Sequence, residues 1–134
     1  MTKKILVLGG SGFLGSSLCN KLIKNKKLKV TNYDRKYNKN LNKKIKFIKG
    51  DISNYKKLNQ QILKNDIIYH FAGISDIEEA SKKPITVVKK NILSSTLILN
   101  LCIKHKIEKF IFASSIYVYS ANGSFYRISK TAVE

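Results

Sequence analysis

Three side chains toward the end of this 134-residue sequence have the types and spacing for proton transfer. Tyr126 and Lys130 stand four residues apart, so on a helix they share one face, and an ammonium beside a phenol stabilises its phenolate. A tyrosine placed that way gives or takes a proton at a substrate alcohol or carbonyl. Ser115, ahead of the pair, can orient that oxygen by a hydrogen bond if it stands where parallel-sheet sites open, at the end of a strand. A second constellation opens the chain: Gly9, Gly12 and Gly15 recur at a three-residue spacing within Gly9-Gly10-Ser11-Gly12-Phe13-Leu14-Gly15. Between a strand and a helix, such a turn cradles phosphate, with one glycine for the bend, one for close approach of backbone to pyrophosphate, and one for helix-to-strand packing. Asp34 follows about twenty residues on, placed to accept hydrogen bonds from an adenosine ribose. Its carboxylate would repel a 2′-phosphate, which favours NAD, while the neighbouring Arg35 keeps NADP as the lesser alternative.

These residues need a scaffold that gathers them at one end, and the hydropathy pattern supplies one. Ile5 to Leu8 reads as a buried first strand, and the helix after the glycine turn carries Leu14, Leu18, Leu22 and Ile23 on one face. Val30 to Asp34 reads as a second strand, Lys36 to Lys44 as a polar surface loop, Ile45 to Ile48 as a third strand and Tyr55 to Leu63 as a short helix. Asp66 to Phe71 makes a fourth strand. A helix opened by Pro84 runs through Val87, Val88, Ile92, Leu99 and Ile103 towards His105, Phe110 to Ala113 gives a fifth strand, and another helix is under way at Glu134. Strands alternating with helices predict an α/β fold, a Rossmann-type doubly wound parallel sheet, in a single domain over residues 1–134.

Composition narrows the function classes. Hydrophobic residues make up 43% of the chain, enough for one core, and no stretch approaches the roughly twenty uninterrupted apolar residues of a membrane span. No membrane partner is expected, and with a start too short for a signal peptide the expected location is cytoplasmic. Cys19 and Cys102 fall at apolar positions of predicted helices without metal-ligand spacing, so they read as small buried hydrophobes, and no metal is expected. The net charge of +18 raises nucleic-acid binding, yet Arg35 and Arg127 are the only arginines and the lysines are scattered. They read as solvated faces rather than as a designed patch.

Gly9-x-x-Gly12-x-x-Gly15, Asp34, Gly50-Asp51-Ile52, His70-Phe71-Ala72-Gly73, Asn91 with Thr96 after it, Ser114-Ser115-x-x-Val118-Tyr119 and Tyr126-x-x-x-Lys130 follow one another in an order and spacing. In this the chain resembles the extended short-chain dehydrogenase/reductase family of NAD-dependent nucleotide-sugar epimerases and dehydratases, over that family's N-terminal part. The resemblance implies that Phe13 and Leu14 with the glycines hold pyrophosphate and that Asp51 and Ile52 contact adenine. It further implies that Phe71, Ala72 and Gly73 line the cofactor, and that Asn91 helps to organise the site. Tyr126 would be the acid/base, Lys130 would also hold the nicotinamide ribose, and Ser115 would polarise the substrate, with hydride passing to or from NAD.

The same resemblance implies a nucleotide-sugar substrate and a homodimer. The interval between Ser115 and Tyr126 is shorter than the family's usual one, Tyr117 and Ser120 replace smaller residues, and Ser75 stands where sugar 4-epimerases often carry lysine. The family's substrate-binding region is expected to be missing beyond Glu134, leaving a fragment without turnover whose last helix has little to pack against. The competing reading is a non-catalytic NAD-binding regulatory module.

Overall fold

A computed structural model describes residues 1–134. Five parallel strands, β1 (Lys3–Leu8), β2 (Leu28–Asp34), β3 (Lys46–Lys49), β4 (Ile67–His70) and β5 (Lys109–Phe112), lie in the order β3-β2-β1-β4-β5. The chain builds outward from β1 to β3, then returns to the other side of β1. That reversal between β1 and β4 leaves a crevice at the carboxyl ends of the strands, where ligands of such sheets bind. The connecting helices are α1 (Phe13–Leu22), α2 (Tyr55–Ile62), α3 (Ile77–Lys82), α4 (Pro84–Val87), α5 (Ser94–Lys104) and α6 (Ser124–Thr131). Between α4 and α5 the helix widens into a π-helical segment, Val88–Leu93, and a 3₁₀ turn spans Ile116–Tyr119.

The two-residue period of β1 explains the layers. Leu6 and Leu8 face one side, where they pack with Tyr33, Leu58, Ile68, Ile98 and Leu101 beneath α2 and α5. Ile5 and Val7 face the other, against Cys19 of α1, Val30, Leu41 and Ile45. Both faces of β1 are therefore covered, which is why it reads as an unbroken apolar run.

Four expectations change. The predicted apolar face of α1 is displaced: Gly15 and Cys19 are its buried residues, while Leu14 is 60% exposed at the mouth of the crevice. The stretch 36–44 is not wholly a surface loop, because Leu41 folds back into the core at 6% exposure. The helix expected from Pro84 to His105 is preceded by α3 and interrupted by the π segment, and its Val88 and Ile103 point to solvent while Val87, Ile98 and Leu101 are buried. Within its 21 residues, Pro84–Lys104, an 18-residue stretch has a mean hydropathy of 1.2, long and apolar enough to cross a membrane by length and composition, although Lys89 and Lys90 interrupt it and one face is packed on the sheet.

Helix α6 departs from the fourth expectation, that it would lack packing. Tyr126 joins Ala80 of α3 and Val87 of α4 in a third apolar cluster, and Ser129 is fully buried. Burial also sets the cost of substitution. Leu41→Ala lowers unfolding free energy by about 2 to 5 kcal/mol, the range for deleting a buried leucine side chain, whereas Leu14→Ala moves it by less than about 0.5 kcal/mol. Urea denaturation of the two variants beside the parent measures both.

Candidate functional site

The crevice encloses about 630 Å³. Its floor is the turn between β1 and α1, whose shape depends on glycine. Gly9 has φ +82°, and a Cβ on it would lie 2.6 Å from the Ala72 nitrogen at the end of β4. A Cβ on Gly15 would sit 2.2 Å from the Gly9 carbonyl oxygen, so no other residue lets α1 start this close to β1. Gly12 differs, for a Cβ there would meet protein only at 3.4 Å and would otherwise fill open crevice.

The first intrahelical bond of α1 runs from the Ser16 N–H to the Gly12 carbonyl, no side chain caps the helix, and its first turn holds no acidic residue. The Phe13, Leu14 and Gly15 amides are thus free at the positive end of the helix. A cradle cleared of side chain and lined with unused N–H donors fits a pyrophosphate.

Ser11 fixes that turn from three sides. Its N–H donates to Asp34 Oδ2 at 3.0 Å, its hydroxyl oxygen accepts from Asn32 Nδ2 at 2.9 Å, and its carbonyl accepts from Asn38 Nδ2 at 3.0 Å. Asp34 also accepts from the Lys36 N–H through Oδ1 at 3.1 Å, which aims the carboxylate along the crevice wall beside Arg35. Gly10 lies over Asn32, where a Cβ would come within 2.5 Å of the amide oxygen.

The next wall is built on an ion pair. Lys90, from the π segment, reaches both oxygens of Asp51 at 2.6 Å. Burial works to raise the Asp51 carboxyl, but hydrogen bonds from Lys90 and Ser53 outweigh it and hold the group below its ordinary value. Tyr33 supports this corner from inside the sheet, donating its hydroxyl to the Asp51 carbonyl at 2.9 Å, with its ring in the space a Gly50 Cβ would occupy. Ile52 completes the corner, and Phe71, Ala72 and Gly73 line the crevice beyond β4.

Tyr126 and Lys130 form the opposite wall. Tyr126 is 9% exposed, its ring meets Tyr117 edge-on at 6.2 Å, and its hydroxyl makes no hydrogen bond within the protein. The Lys130 ammonium donates to the Ala113 carbonyl at 2.7 Å, lies 4.7 Å above the Phe112 ring and is 5.6 Å from the centre of the Tyr126 ring. Burial lowers its pKa from the ordinary lysine value. Ser115 stands one residue off the lining: Ala113 and Ser114 face the crevice, while the Ser115 hydroxyl oxygen accepts the Tyr117 N–H at 3.3 Å.

Asn91 is buried behind the wall rather than in it. Its Oδ1 accepts the Ile74 N–H at 2.8 Å, and its Nδ2 donates to the Ile74 carbonyl at 2.9 Å and to Ser129 Oγ at 3.0 Å. Ser129 passes its own proton to the Tyr126 carbonyl at 2.7 Å. The Asn91 carbonyl accepts from Ser95 at 2.5 Å, and since that hydroxyl proton is committed, His70 Nε2 must donate to Ser95 Oγ at 2.8 Å. His70 Nδ1 is then a bare lone pair, buried and unpartnered.

Thus every expected residue except Asn91 and Ser115 lines the crevice; Asn91 is buried behind its wall, and Ser115 follows the lining residues Ala113 and Ser114. Lys90 and Ser95 escaped the sequence reading, and Ser129 was noted only beside Lys130 in the family pattern, without a role. Lys90 is one lysine among many; Ser95 carries no signal until the helices are placed.

A parallel sheet whose order reverses beside β1, with a free helix N-terminus at the reversal, defines a Rossmann-type dinucleotide-binding fold. The chain belongs to the NAD dependent epimerase/dehydratase family, whose model matches residues 5–133. Among curated relatives, a dTDP-D-glucose 4,6-dehydratase of Dictyostelium discoideum is 33% identical over 89% of this chain and 30% of its own length. A UDP-glucose 4-epimerase of the same organism is 33% identical over 87% of this chain and 37% of its own. The crystal structure of a Thermotoga maritima UDP-glucose 4-epimerase with UDP-glucose superposes with a TM-score of 0.88 at 27% identity, covering 97% of this chain and 48% of that one. This chain spans less than half the length of each.

Burial pushes the His70 pKa down to about 3 from its ordinary 6.5, with the Lys130 charge adding to the effect. Unfolding releases the ring, so between those values the unfolded chain binds a proton that the native one refuses. Stability is full above about 6.5 and declines as pH falls towards about 3. His70→Gln keeps a donor for Ser95 but removes the titration. Melting temperatures taken across that range fall less steeply for the variant than for the parent.

Proposed function

We propose that the chain binds NAD and belongs to an epimerase, dehydratase or reductase acting on a nucleotide sugar, as a homodimer in the cytoplasm. The observation that carries this reading is convergence: the free N-terminus of α1, Asp34 and the Tyr126–Lys130 pair line one crevice. The matched relatives, a dTDP-D-glucose 4,6-dehydratase and a UDP-glucose 4-epimerase, support the substrate class.

The amides of Phe13, Leu14 and Gly15 would hold the pyrophosphate, Asp34 the adenosine ribose and Asp51 with Ile52 the adenine. NAD supplies the hydride acceptor and donor. Tyr126 moves the proton. Its hydroxyl is free of protein partners, and the nearby Lys130 cation favours the phenolate that proton removal leaves. Burial makes that cation more effective than a solvated one, because less water screens it. Ser115 accepts an N–H through its oxygen and keeps its proton to donate to the substrate oxygen. The Ala113 carbonyl holds the Lys130 ammonium, one helical turn along α6 from Tyr126.

Calorimetric titration of the chain gives tighter binding for NAD than for NADP, and Asp34→Ala weakens NAD while narrowing that preference. An unchanged preference would remove Asp34 from the ribose. In an active enzyme containing this segment, Tyr126→Phe lowers turnover by about a hundred- to ten-thousand-fold, the range for acid/base groups, with cofactor affinity nearly unmoved. A variant retaining full rate would reject the proton role.

A further inference from the structure

Lysines stand at both ends of the sheet, but at the end where the strands begin few carboxylates accompany them. In a parallel sheet every strand begins at the same end, so each turn leading into a strand delivers its side chains there. Lys4 of β1 is the register partner of Lys29 of β2, and Lys27 precedes them on a turn whose carbonyl receives the Lys3 N–H. Lys44 and Lys46 lead into β3, and Lys106 and Lys109 into β5. All of these except Lys3 are exposed. Adjacent strands lie about 4.8 Å apart, so five of them set this charge across a face roughly 20 Å wide.

The carboxylates are concentrated at the crevice end. Of the chain's 8 acidic residues, only Asp66 and Glu108 stand at this end, and both are engaged, Glu108 by Lys3 and Asp66 by the Lys4 N–H. Asp34, Asp51, Asp76, Glu78, Glu79 and Glu134 follow strand ends or lie beside residues that do, at the crevice end.

The character of the basic face selects its partner. It has no arginine for bidentate recognition of bases, since Arg35 follows β2 and Arg127 lies in α6. The exposed aromatics Phe13, Tyr37, Tyr55, Tyr119 and Phe125 all follow strands or open helices at the crevice end, leaving none here to stack on a base. What does stand among the lysines is aliphatic: Met1 is fully exposed, Ile103 is 77% exposed near the end of α5, and Leu63 follows α2. Ammonium groups interspersed with solitary apolar side chains suit a surface of anionic headgroups over hydrocarbon.

We propose that the strand-start face docks on an anionic lipid surface, peripherally, with the crevice at the opposite end of the sheet turned to the aqueous side. Each lysine near such a surface contributes about fivefold in affinity, and the attraction decays within a Debye length of about 8 Å at physiological salt.

The test uses the 134-residue chain with phosphatidylcholine vesicles prepared with and without phosphatidylserine, in a sedimentation assay. Binding is expected only to the vesicles with phosphatidylserine and weakens as salt is raised. Replacing Lys27, Lys29, Lys106 and Lys109 by Gln lowers that affinity by roughly a hundredfold or more. A control with Lys36, Lys39, Lys56 and Lys89 replaced by Gln has the same net charge and keeps most of the affinity. All eight side chains are exposed, so far-ultraviolet dichroism and melting temperature match the parent in both variants. No binding to phosphatidylserine vesicles, equal losses in the two variants, or tighter binding to duplex RNA or DNA than to vesicles would each overturn the proposal.

Discussion

The amide of Asn91 ties together three parts of the chain that share no sequence proximity. It bonds both backbone groups of Ile74, after β4, and through Ser129 it reaches α6. A buried amide costs free energy unless its donors and acceptor are satisfied, and here all three hydrogen bonds come from segments that shape the crevice. The π segment is what turns this residue inward, as π-bulges often do at functional sites. It also leaves the Asn91 carbonyl to Ser95, and through Ser95 to His70. Tyr126 is held at second hand, since Ser129 bonds its carbonyl rather than its hydroxyl. The arrangement fixes the backbone of Tyr126 and leaves its phenol free.

His70 shows how charge is managed in the same place. A cationic imidazole 5.7 Å from Phe112, under a ring that also carries the Lys130 ammonium, would add a second buried positive charge. Keeping the ring neutral leaves Lys130 as the single cation of that wall. On the other wall Lys90 and Asp51 neutralise one another, while Asp34 and Arg35 stand farther along it, so the crevice presents free amides, a carboxylate and the Lys130 ammonium at separate points rather than a uniform potential.

The parallel topology that opens the crevice also sorts the surface charge. Six of the eight carboxylates stand at the crevice end while lysines occur at both, so the strand-start end is left with the less compensated positive charge, without any local cluster in the sequence.

What the sequence determined by itself was whatever depends on neighbours along the chain. The glycine turn was legible because the Gly9–Gly12–Gly15 spacing follows an apolar run and opens a helix, with Gly15 answering the Gly9 carbonyl inside that one unit, and the strands were legible because β1 is an unbroken apolar run and the others are short apolar-containing segments between polar turns. Tyr126 and Lys130 were legible from helical spacing. Strand boundaries shifted by a residue or two, since pairing partners decide where a strand stops. Tertiary structure alone decided the rest: Leu41 turned inward because a second core needed covering, and Leu14 turned outward because Gly15 had to face β1. It also brought Lys90 to Asp51 and put Asn91 behind the wall. Those outcomes depend on which distant group is present to satisfy a buried charge or amide, and no local pattern of residues carries that information.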